Sequence, residues 1–142
     1  MTKHPRFLNS DQFFACPQCG QALGLDLNSL RCPNRHTFDI AKQGYVNLAP
    51  QVKQSANYHK SSFENRQAFL EAGYYDHLYE ALEGKIAELG LQSVLDIGCG
   101  EGFYSRKLAE KMDLDILAFD ISKDSILLAA RTDSTKSVKW FV

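Results

Sequence analysis

The sequence predicts a two-part α/β chain, in which a small cysteine-rich module precedes the first part of a doubly wound parallel sheet. Three cysteines and a histidine stand close together near the N-terminus in the pattern C-x2-C-x12-C-x3-H. From Gln92 onward, apolar runs of strand length alternate with runs of helical spacing, the order of a parallel sheet with crossover helices. With 142 residues, the chain has room for a small module and part of a larger domain.

The cysteine-rich pattern predicts a structural zinc site. Zinc takes thiolate and imidazole ligands in closed tetrahedral sites, and ligands two to four residues apart can bind from one tight turn. In CPQCG and CPNRH a proline follows the first cysteine, and we expect Gly20 and Asn34 to take the left-handed conformation that such turns need. The predicted ligands are Cys16, Cys19, Cys32 and His36.

Other uses of these residues fit less well. A disulfide framework would leave His36 without a role and would need a secreted chain, whereas the start, MTKHPRFLNSDQFF, has no apolar stretch of the signal-peptide kind. A catalytic zinc would keep one position open for water, and here protein fills all four. A DNA-reading finger needs a helix, which the sequence from Thr37 to Pro50 does not predict. We therefore expect a zinc ribbon or knuckle.

The composition is 44% hydrophobic and 23% charged, with a net charge of −1. The sequence has no run of eighteen apolar residues, so it predicts no membrane span. We expect a cytoplasmic protein. The charge is unevenly distributed, because the chain through Lys60 has seven basic and three acidic residues, a net charge of +4, whereas the remainder has nine basic and fourteen acidic, a net charge of −5. A positive zinc module suits a phosphate-rich partner, with ordinary surface charge as the alternative.

The predicted organisation is a zinc-binding module at 1–50, a polar linker at 51–60 and a helical lead-in with the sheet at 61–142. Within the module, we expect a hairpin that turns near Asn28. Ser61 and Glu64 form a capping-box pattern that predicts the start of a helix. Gly73 interrupts this helix, and a second one ends at Gly90.

The second part reads as βαβαβ. We expect a buried first strand at Val94–Ile97, where four apolar or acidic residues run into a glycine-rich loop. The following elements are a helix at Tyr104–Met112, a strand at Ile116–Phe119, a helix at Ser125–Arg131 and a third strand at Val138–Val142.

The loop from Asp96 to Gly102 has the pattern D-x-G-x-G-x-G. Glycines let a ligand approach the backbone, but the acids Asp96 and Glu101 would repel a pyrophosphate and favour a cationic ligand such as S-adenosylmethionine. Asp120, at the end of the second strand, is placed to accept hydrogen bonds from ribose hydroxyls. A plain helix-strand connection with structural glycines is the alternative. We expect Cys99 to be a buried, unreactive thiol.

Two groups of motifs carry a family resemblance. VLDIGCGEG followed by AFDIS resembles the first two motifs of class I S-adenosylmethionine-dependent methyltransferases. CPQCG, then CPNRH with TFDIAKQGYVNLAP, then RQAFLEAGYYDHL, together resemble the 23S ribosomal RNA guanine-N1 methyltransferases, in which a zinc-binding domain precedes the Rossmann-like methyltransferase fold. This resemblance covers nearly the whole chain from Phe14 onward.

The resemblance implies methyl transfer from S-adenosylmethionine to N1 of a guanine in a 23S rRNA hairpin, with zinc as the structural cofactor. Because the family's fold continues past the third strand, we expect this chain to be an N-terminal portion that lacks the catalytic and target-base residues, is inactive alone, and has an unpaired sheet edge open to self-association. The cofactor residues it implies are Tyr75, Gly100 and Glu101, with Asp96, Gly98, Gly102 and Asp120 around them.

Three aromatics, Phe38, Tyr45 and Tyr58, could stack on RNA bases or could pack in the core or in a hairpin. Two other functions stay open at this point. One is a zinc-dependent RNA-binding module without catalysis, and the other is part of a small-molecule methyltransferase with an unrelated zinc clip.

Overall fold

The computed structural model describes residues 4–55 and 60–142. These residues form two sheets and four α-helices. They are β1 (Gly24–Asp26), β2 (Ser29–Arg31), β3 (Thr37–Asp39), β4 (Tyr45–Val46), α1 (Lys60–Glu71), α2 (Asp76–Leu89), β5 (Ser93–Ile97), α3 (Phe103–Lys111), β6 (Asp115–Phe119), α4 (Lys123–Thr132) and β7 (Val138–Phe141).

The first sheet is an antiparallel meander in the order β1-β2-β3. The predicted hairpin is confirmed, because Asp26 pairs with Ser29 across a two-residue turn at Leu27 and Asn28. Residues 37–50 contain strands and no helix, also as predicted. Because Leu30 is opposite both Leu25 and Phe38, the middle strand carries the apolar centre of this sheet.

The second sheet is parallel throughout, in the order β4-β7-β6-β5. The predicted βαβαβ series is confirmed as β5-α3-β6-α4-β7, with bounds that differ by one or two residues. Strand β4 was not predicted, and it extends the sheet by pairing Tyr45 with Trp140 and Val46 with Phe141. The chain before the linker therefore supplies an edge strand to the second sheet.

The two faces of the parallel sheet are covered differently. Ile116 and Trp140 point to the face that packs against α2, α3 and α4. Leu117 points the other way, into a cluster with Phe7 and Phe14, and the ring of Phe14 meets that of Phe141 edge-on at 5.0 Å. The N-terminal part, residues 4–48, thus covers one face of the sheet where a crossover helix would otherwise lie.

The prediction that β5 is a buried strand is wrong. Leu95 is 54% exposed and Ile97 is 71% exposed. Within the described residues, β5 pairs only with β6, so it is an edge strand. The N-terminal part covers Leu117 on β6 but does not extend to β5, because the apolar cluster that it forms includes no β5 residue.

The helix boundaries agree with the predicted start and stop signals, with one exception. Gly73, with φ of 95°, separates α1 from α2, and Gly90 ends α2 in the left-handed conformation with its N–H directed at Ala87 and Ile86 carbonyls. Ser61 is not an N-cap, because α1 is already helical at Lys60.

The stacking role considered for Phe38 and Tyr45 is wrong, since each is only 7% exposed and packs internally. Tyr58 lies outside the described residues. Within the described ranges, no helix combines the length and apolar character needed to cross a bilayer.

Candidate metal centre and cofactor site

The four predicted zinc ligands converge. Their ligand atoms all lie within 4.8 Å of one another. The Sγ atoms of Cys19 and Cys32 are 3.7 Å apart, and Nδ1 of His36 is 3.4 Å from the Sγ atoms of Cys16 and Cys32. A tetrahedral site with Zn–S bonds of about 2.3 Å requires sulfur atoms about 3.8 Å apart. The cluster therefore has the size and donor set of a closed zinc site.

Two tight turns place these ligands. In the first, Gly20 has φ of 77° and its N–H donates to the Cys16 carbonyl at 2.8 Å. In the second, the left-handed residue is Arg35, with φ of 67°, and not Asn34 as predicted. The reason is the hydrogen bond from the Cys32 N–H to the His36 carbonyl, at 3.1 Å, which makes the chain reverse directly before the histidine.

The thiols of this cluster differ in acidity. A hydrogen bond with the Gln21 backbone, followed by one with the Asn34 side chain, lowers the pKa of Cys19 to about 6. Burial raises the pKa of Cys32. Since zinc binds the thiolate, Cys19 needs less help from the metal than Cys32 to lose its proton.

A cavity of about 380 Å³ lies at the carboxyl ends of β5 and β6, which is where ligands bind in open α/β sheets. The glycine-rich loop, the turn after β6, the predicted linker and α1 all contribute to its wall. The lining residues are Lys53, Gln54, Ser55, Phe63, Arg66, Gly98, Gly100, Asp120, Ile121 and Ser122.

Asp120 organises this cavity. One of its carboxylate oxygens accepts from the Gly100 N–H at 3.0 Å and the other from the Ser122 N–H at 2.9 Å. The loop is also tied to β6 through the N–H groups of Gly98 and Cys99, which both donate to the Phe119 carbonyl. Of the predicted cofactor residues, the structure brings Gly98, Gly100 and Asp120 together on the cavity wall.

Two predicted acids lie behind the loop. Asp96 accepts a hydrogen bond from the Ser105 hydroxyl at 2.7 Å, and burial raises its pKa, with a further contribution from the charge of Asp120. Glu101 is almost completely buried and accepts from the Phe103 N–H at 3.3 Å. Burial also raises the pKa of Glu101. Neither is among the residues that line the cavity in the described chain.

The remaining two predicted residues also stand apart from the cavity wall. Gly102 precedes α3, and a Cβ built on it would lie 2.5 Å from the ring of Trp140, so this glycine serves packing. Tyr75 precedes α2, and its ring packs edge-on against Phe69 at 5.5 Å.

Two cavity residues were not among those predicted. The side chain of Gln54 donates to the Ile121 carbonyl at 3.1 Å and accepts from the Lys123 N–H at 2.8 Å, so it holds the turn after Asp120. Arg66 reaches the loop from α1. A lone glutamine in a polar segment carries no sequence signal, whereas Arg66 opens the RQAFL motif and could have been singled out there.

The cavity suits S-adenosylmethionine. A Cβ built on Gly98, whose φ is 70°, would meet no heavy atom within 4 Å, so the protein itself does not need a glycine there for packing. The open space above this backbone is what a closely approaching ligand would occupy. Asp120 offers the carboxylate that a ribose diol requires.

Comparison with known proteins places both halves. Residues 14–56 match the family model described as the N-terminal domain of RlmA, a zinc ribbon, and residues 94–142 match a methyltransferase domain. The chain is 38% identical over 128 residues to "23S rRNA (guanine(748)-N(1))-methyltransferase" of Streptomyces fradiae, covering 87% of this chain and 46% of that protein.

A second relative, the "Putative 23S rRNA (guanine-N(1)-)-methyltransferase" of Micromonospora griseorubida, is 34% identical over 141 residues, covering 82% of this chain and 46% of that protein. The chain thus spans about half the length of the curated relatives it matches. Among solved structures, phosphoethanolamine N-methyltransferase 2 of Haemonchus contortus, in complex with S-adenosyl-L-methionine, overlaps 35% of this chain and 12% of that chain, with 26% identity and a TM-score of 0.32.

The fold and these matches define a zinc ribbon followed by part of a Rossmann-like methyltransferase domain, so the predicted fold class is confirmed. The predicted cofactors are confirmed as well: the cluster of three cysteines and a histidine and the ribbon match support zinc, and the methyltransferase match supports S-adenosylmethionine. The resemblance to 23S rRNA (guanine-N1-)-methyltransferases is likewise confirmed, over the part of those proteins that this chain spans.

Proposed function

We propose that this chain is the RNA-recognising and cofactor-binding part of an enzyme that transfers a methyl group from S-adenosylmethionine to N1 of a guanine in a hairpin of 23S rRNA. The observation that carries the proposal is the coexistence, in one chain, of a four-ligand zinc cluster beside the antiparallel sheet and a cavity lined by Gly98, Gly100 and Asp120 at the end of the parallel sheet. The proposal is also supported by the two relatives named as 23S rRNA guanine-N1 methyltransferases, whose alignments cover 87% and 82% of this chain.

The uneven charge distribution supports separate roles for the N-terminal and C-terminal parts of the chain. Residues 1–50 contact RNA, 51–60 connect, and 61–142 begin the cofactor-binding domain. Within residues 4–50, three cations are exposed and could meet phosphates at the surface, whereas Arg6 is buried and could not. The exposed ones are Arg31, Arg35 and Lys42. The enzyme would work in the cytoplasm, where ribosomal RNA is modified.

In this reaction the protein mainly has to position the methyl donor and the target base. S-adenosylmethionine supplies an activated sulfonium methyl group when bound. Asp120 would hold the ribose hydroxyls while anchoring the backbone of Gly100 and Ser122, and Gly98 would let the ligand lie against the loop. Guanine N1 is on the Watson-Crick edge, so the target base must be unpaired, as in a hairpin loop.

The open edge of β5 supports a further part of the proposal, namely that this chain alone is inactive. Ile97 and Leu95 are exposed beside the loop, and the apolar groove between β5 and α2 includes Leu78 and Leu82. Additional strands would cover this surface in an active enzyme; without them, we propose that the edge promotes self-association. An RNA-binding role without catalysis is the second candidate: the uncovered edge supports the lack of catalysis, and the exposed cations of the N-terminal part support RNA binding.

The test is transfer of a labelled methyl group to unmodified 23S rRNA. The 142-residue chain is compared with a chimera in which the part of the Streptomyces fradiae relative beyond the aligned region follows Val142. Turnover by the chimera, lost on Asp120→Ala, is the expected result. A chimera that binds RNA but transfers nothing would favour the RNA-binding role, and methylation of small molecules only would favour the small-molecule enzyme. Efficient transfer by the short chain would refute its proposed inactivity.

A further inference from the structure

Arg66 is a cation in the wall of the proposed cofactor cavity. It projects from α1, and its side chain is 60% exposed. Its Nε atom is 3.9 Å from the position that a Cβ on Gly100 would take, so the guanidinium lies beside the glycine-rich loop. The N–H of the same glycine donates to Asp120. Gly100 thus lies between a carboxylate and a guanidinium that line the same cavity.

The rest of the protein uses little of the hydrogen-bonding and ion-pairing capacity of Arg66. Its contact with Glu101 spans 3.9 Å, beyond hydrogen-bond distance, and Glu101 is already engaged by the Phe103 N–H and lies 4.0 Å from Nη2 of Arg106. In residues 4–55 and 60–142, this contact is the one ion pair that Arg66 makes. A guanidinium has five N–H donors, so most of its binding capacity remains directed to the cavity and solvent.

An arginine is at first sight unsuited to this cavity. S-adenosylmethionine carries a sulfonium and an ammonium group, both of which a guanidinium would repel. The molecule also has one anionic group, the α-carboxylate of its methionyl part, and guanidinium groups bind carboxylates through two parallel hydrogen bonds. An arginine here is favourable only if it meets that carboxylate.

We propose that Arg66 binds the α-carboxylate of S-adenosylmethionine, at the opposite side of the loop from the ribose-binding Asp120. The inference rests on the proposed function, because it assigns a contact within the same cofactor site. It makes Arg66 the residue that recognises the amino-acid end of the cofactor. It also predicts that ligands without that end gain nothing from Arg66.

Two ligands separate this contact from the rest of the site. S-adenosylhomocysteine has the α-carboxylate, and 5′-methylthioadenosine has the same adenosine and thioether without the amino-acid end. Calorimetric titration of the zinc-loaded chain with each ligand gives a ratio of affinities. We expect Arg66→Gln to weaken S-adenosylhomocysteine binding at least about tenfold and to leave methylthioadenosine binding within about twofold. Arg66→Lys should lie between, because lysine cannot make the bidentate contact.

Lys85→Gln is the matched control, since it also removes one exposed cation of an ion pair, on a helix that does not line the cavity. Retained methylthioadenosine binding shows that a variant is folded. If Arg66→Gln weakens both ligands equally, or weakens only RNA binding because the arginine holds a phosphate, the inference is wrong. If the unaltered chain binds neither ligand, the proposed cofactor site itself fails. Should Arg66→Gln not fold, the Arg66→Lys ratio decides.

Discussion

The guanidinium of Arg6 lies 3.2 Å from the carboxylate of Asp133, and both side chains are fully buried. Arg6 also donates to the carbonyls of Gly44 and Thr135, at 3.1 and 2.9 Å, and Asp133 accepts from the indole N–H of Trp140 at 3.0 Å. The pair therefore fastens the start of the chain to the turn that precedes β7. Burial lowers the pKa of Arg6, and the charge of Asp133 opposes that shift.

Asp133→Ala should lower the free energy of unfolding by on the order of 3–5 kcal/mol, because it leaves a buried guanidinium without its counter-charge. Urea denaturation of the zinc-loaded protein measures this. Arg31→Ala is the control, since its pair with Asp26 is exposed and should contribute about 0–1 kcal/mol. If Asp133→Ala cannot be purified, Asp133→Asn, which retains hydrogen-bonding capacity, provides the comparison. Equal losses in Asp133→Ala and Arg31→Ala would show that water reaches Arg6.

Cys32→Ser should lose stoichiometric zinc, because its thiolate is one of only four ligand atoms in the cluster. Cys99→Ser should retain zinc in full, since that buried thiol lies in the glycine-rich loop and contacts the Gly100 carbonyl. Metal analysis of both purified variants decides. A zinc content unchanged by Cys32→Ser would remove it from the ligand set.

Removal of zinc from the unaltered chain by a chelator should do more than unfold the ribbon. Leu117 and Phe141 pack into the apolar cluster of the N-terminal part, so loss of that part would expose one face of the parallel sheet. Hydrogen exchange should therefore report reduced protection in β6 and β7 as well as in β1, β2 and β3. Unchanged exchange in β6 and β7 would show that the sheet does not depend on its cover.

Gly98→Ala and Gly102→Ala should have separable effects. A Cβ on Gly102 would overlap the ring of Trp140, so this change should mainly reduce stability, by about 1–3 kcal/mol for overpacking in addition to backbone strain. A Cβ on Gly98 would carry similar backbone strain but would enter open space, so that change should cost less stability than Gly102→Ala and should weaken binding of S-adenosylhomocysteine. Paired urea and ligand titrations test the contrast, and the reverse assignment of effects would contradict it.

Stability should fall with rising pH through the titration of Asp96. Burial raises the pKa of this carboxyl above its ordinary value of 3.8, so the folded state binds the proton more tightly than the unfolded state. The resulting stabilisation is present below 3.8 and is lost as pH rises through the folded pKa. Asp96→Asn should therefore gain stability relative to the unaltered chain as pH increases. Ser105→Ala, which removes a hydrogen bond favouring the ionised form, should steepen the fall.

The local patterns predicted much of this molecule because their causes are local. The four zinc ligands lie on two short turns, so their spacing already constrains their geometry. The order β5-α3-β6-α4-β7 follows from hydrophobic periodicity, which sets the type of each element before any tertiary contact forms.

The features that sequence analysis missed depend on distant partners. Strand β4 is two residues long, and its place in the parallel sheet comes from its pairing with β7. Arg6 and Asp133 meet across 127 positions, and nothing near either residue indicates a buried pair. The run Val94–Ile97 resembles a buried strand in composition, but exposure is decided by what lies beside it. Gln54 lies at the cavity because its side chain makes two hydrogen bonds to a turn that is far away in the sequence.

The pairing of β4 with β7 also imposes an order of events during synthesis. Tyr45 faces Trp140, a residue made 95 positions later, which is roughly 5–20 seconds at ordinary translation rates. All four zinc ligands have been made by His36, so the nascent chain can capture its metal long before the sheet exists. Until β6 and β7 leave the ribosome, the apolar cluster around Val46 lacks Leu117 and Phe141, and one side of it is uncovered. Early zinc binding would stabilise the N-terminal part until the parallel sheet has been synthesised. A shortage of zinc during translation would make misfolding of this part more frequent.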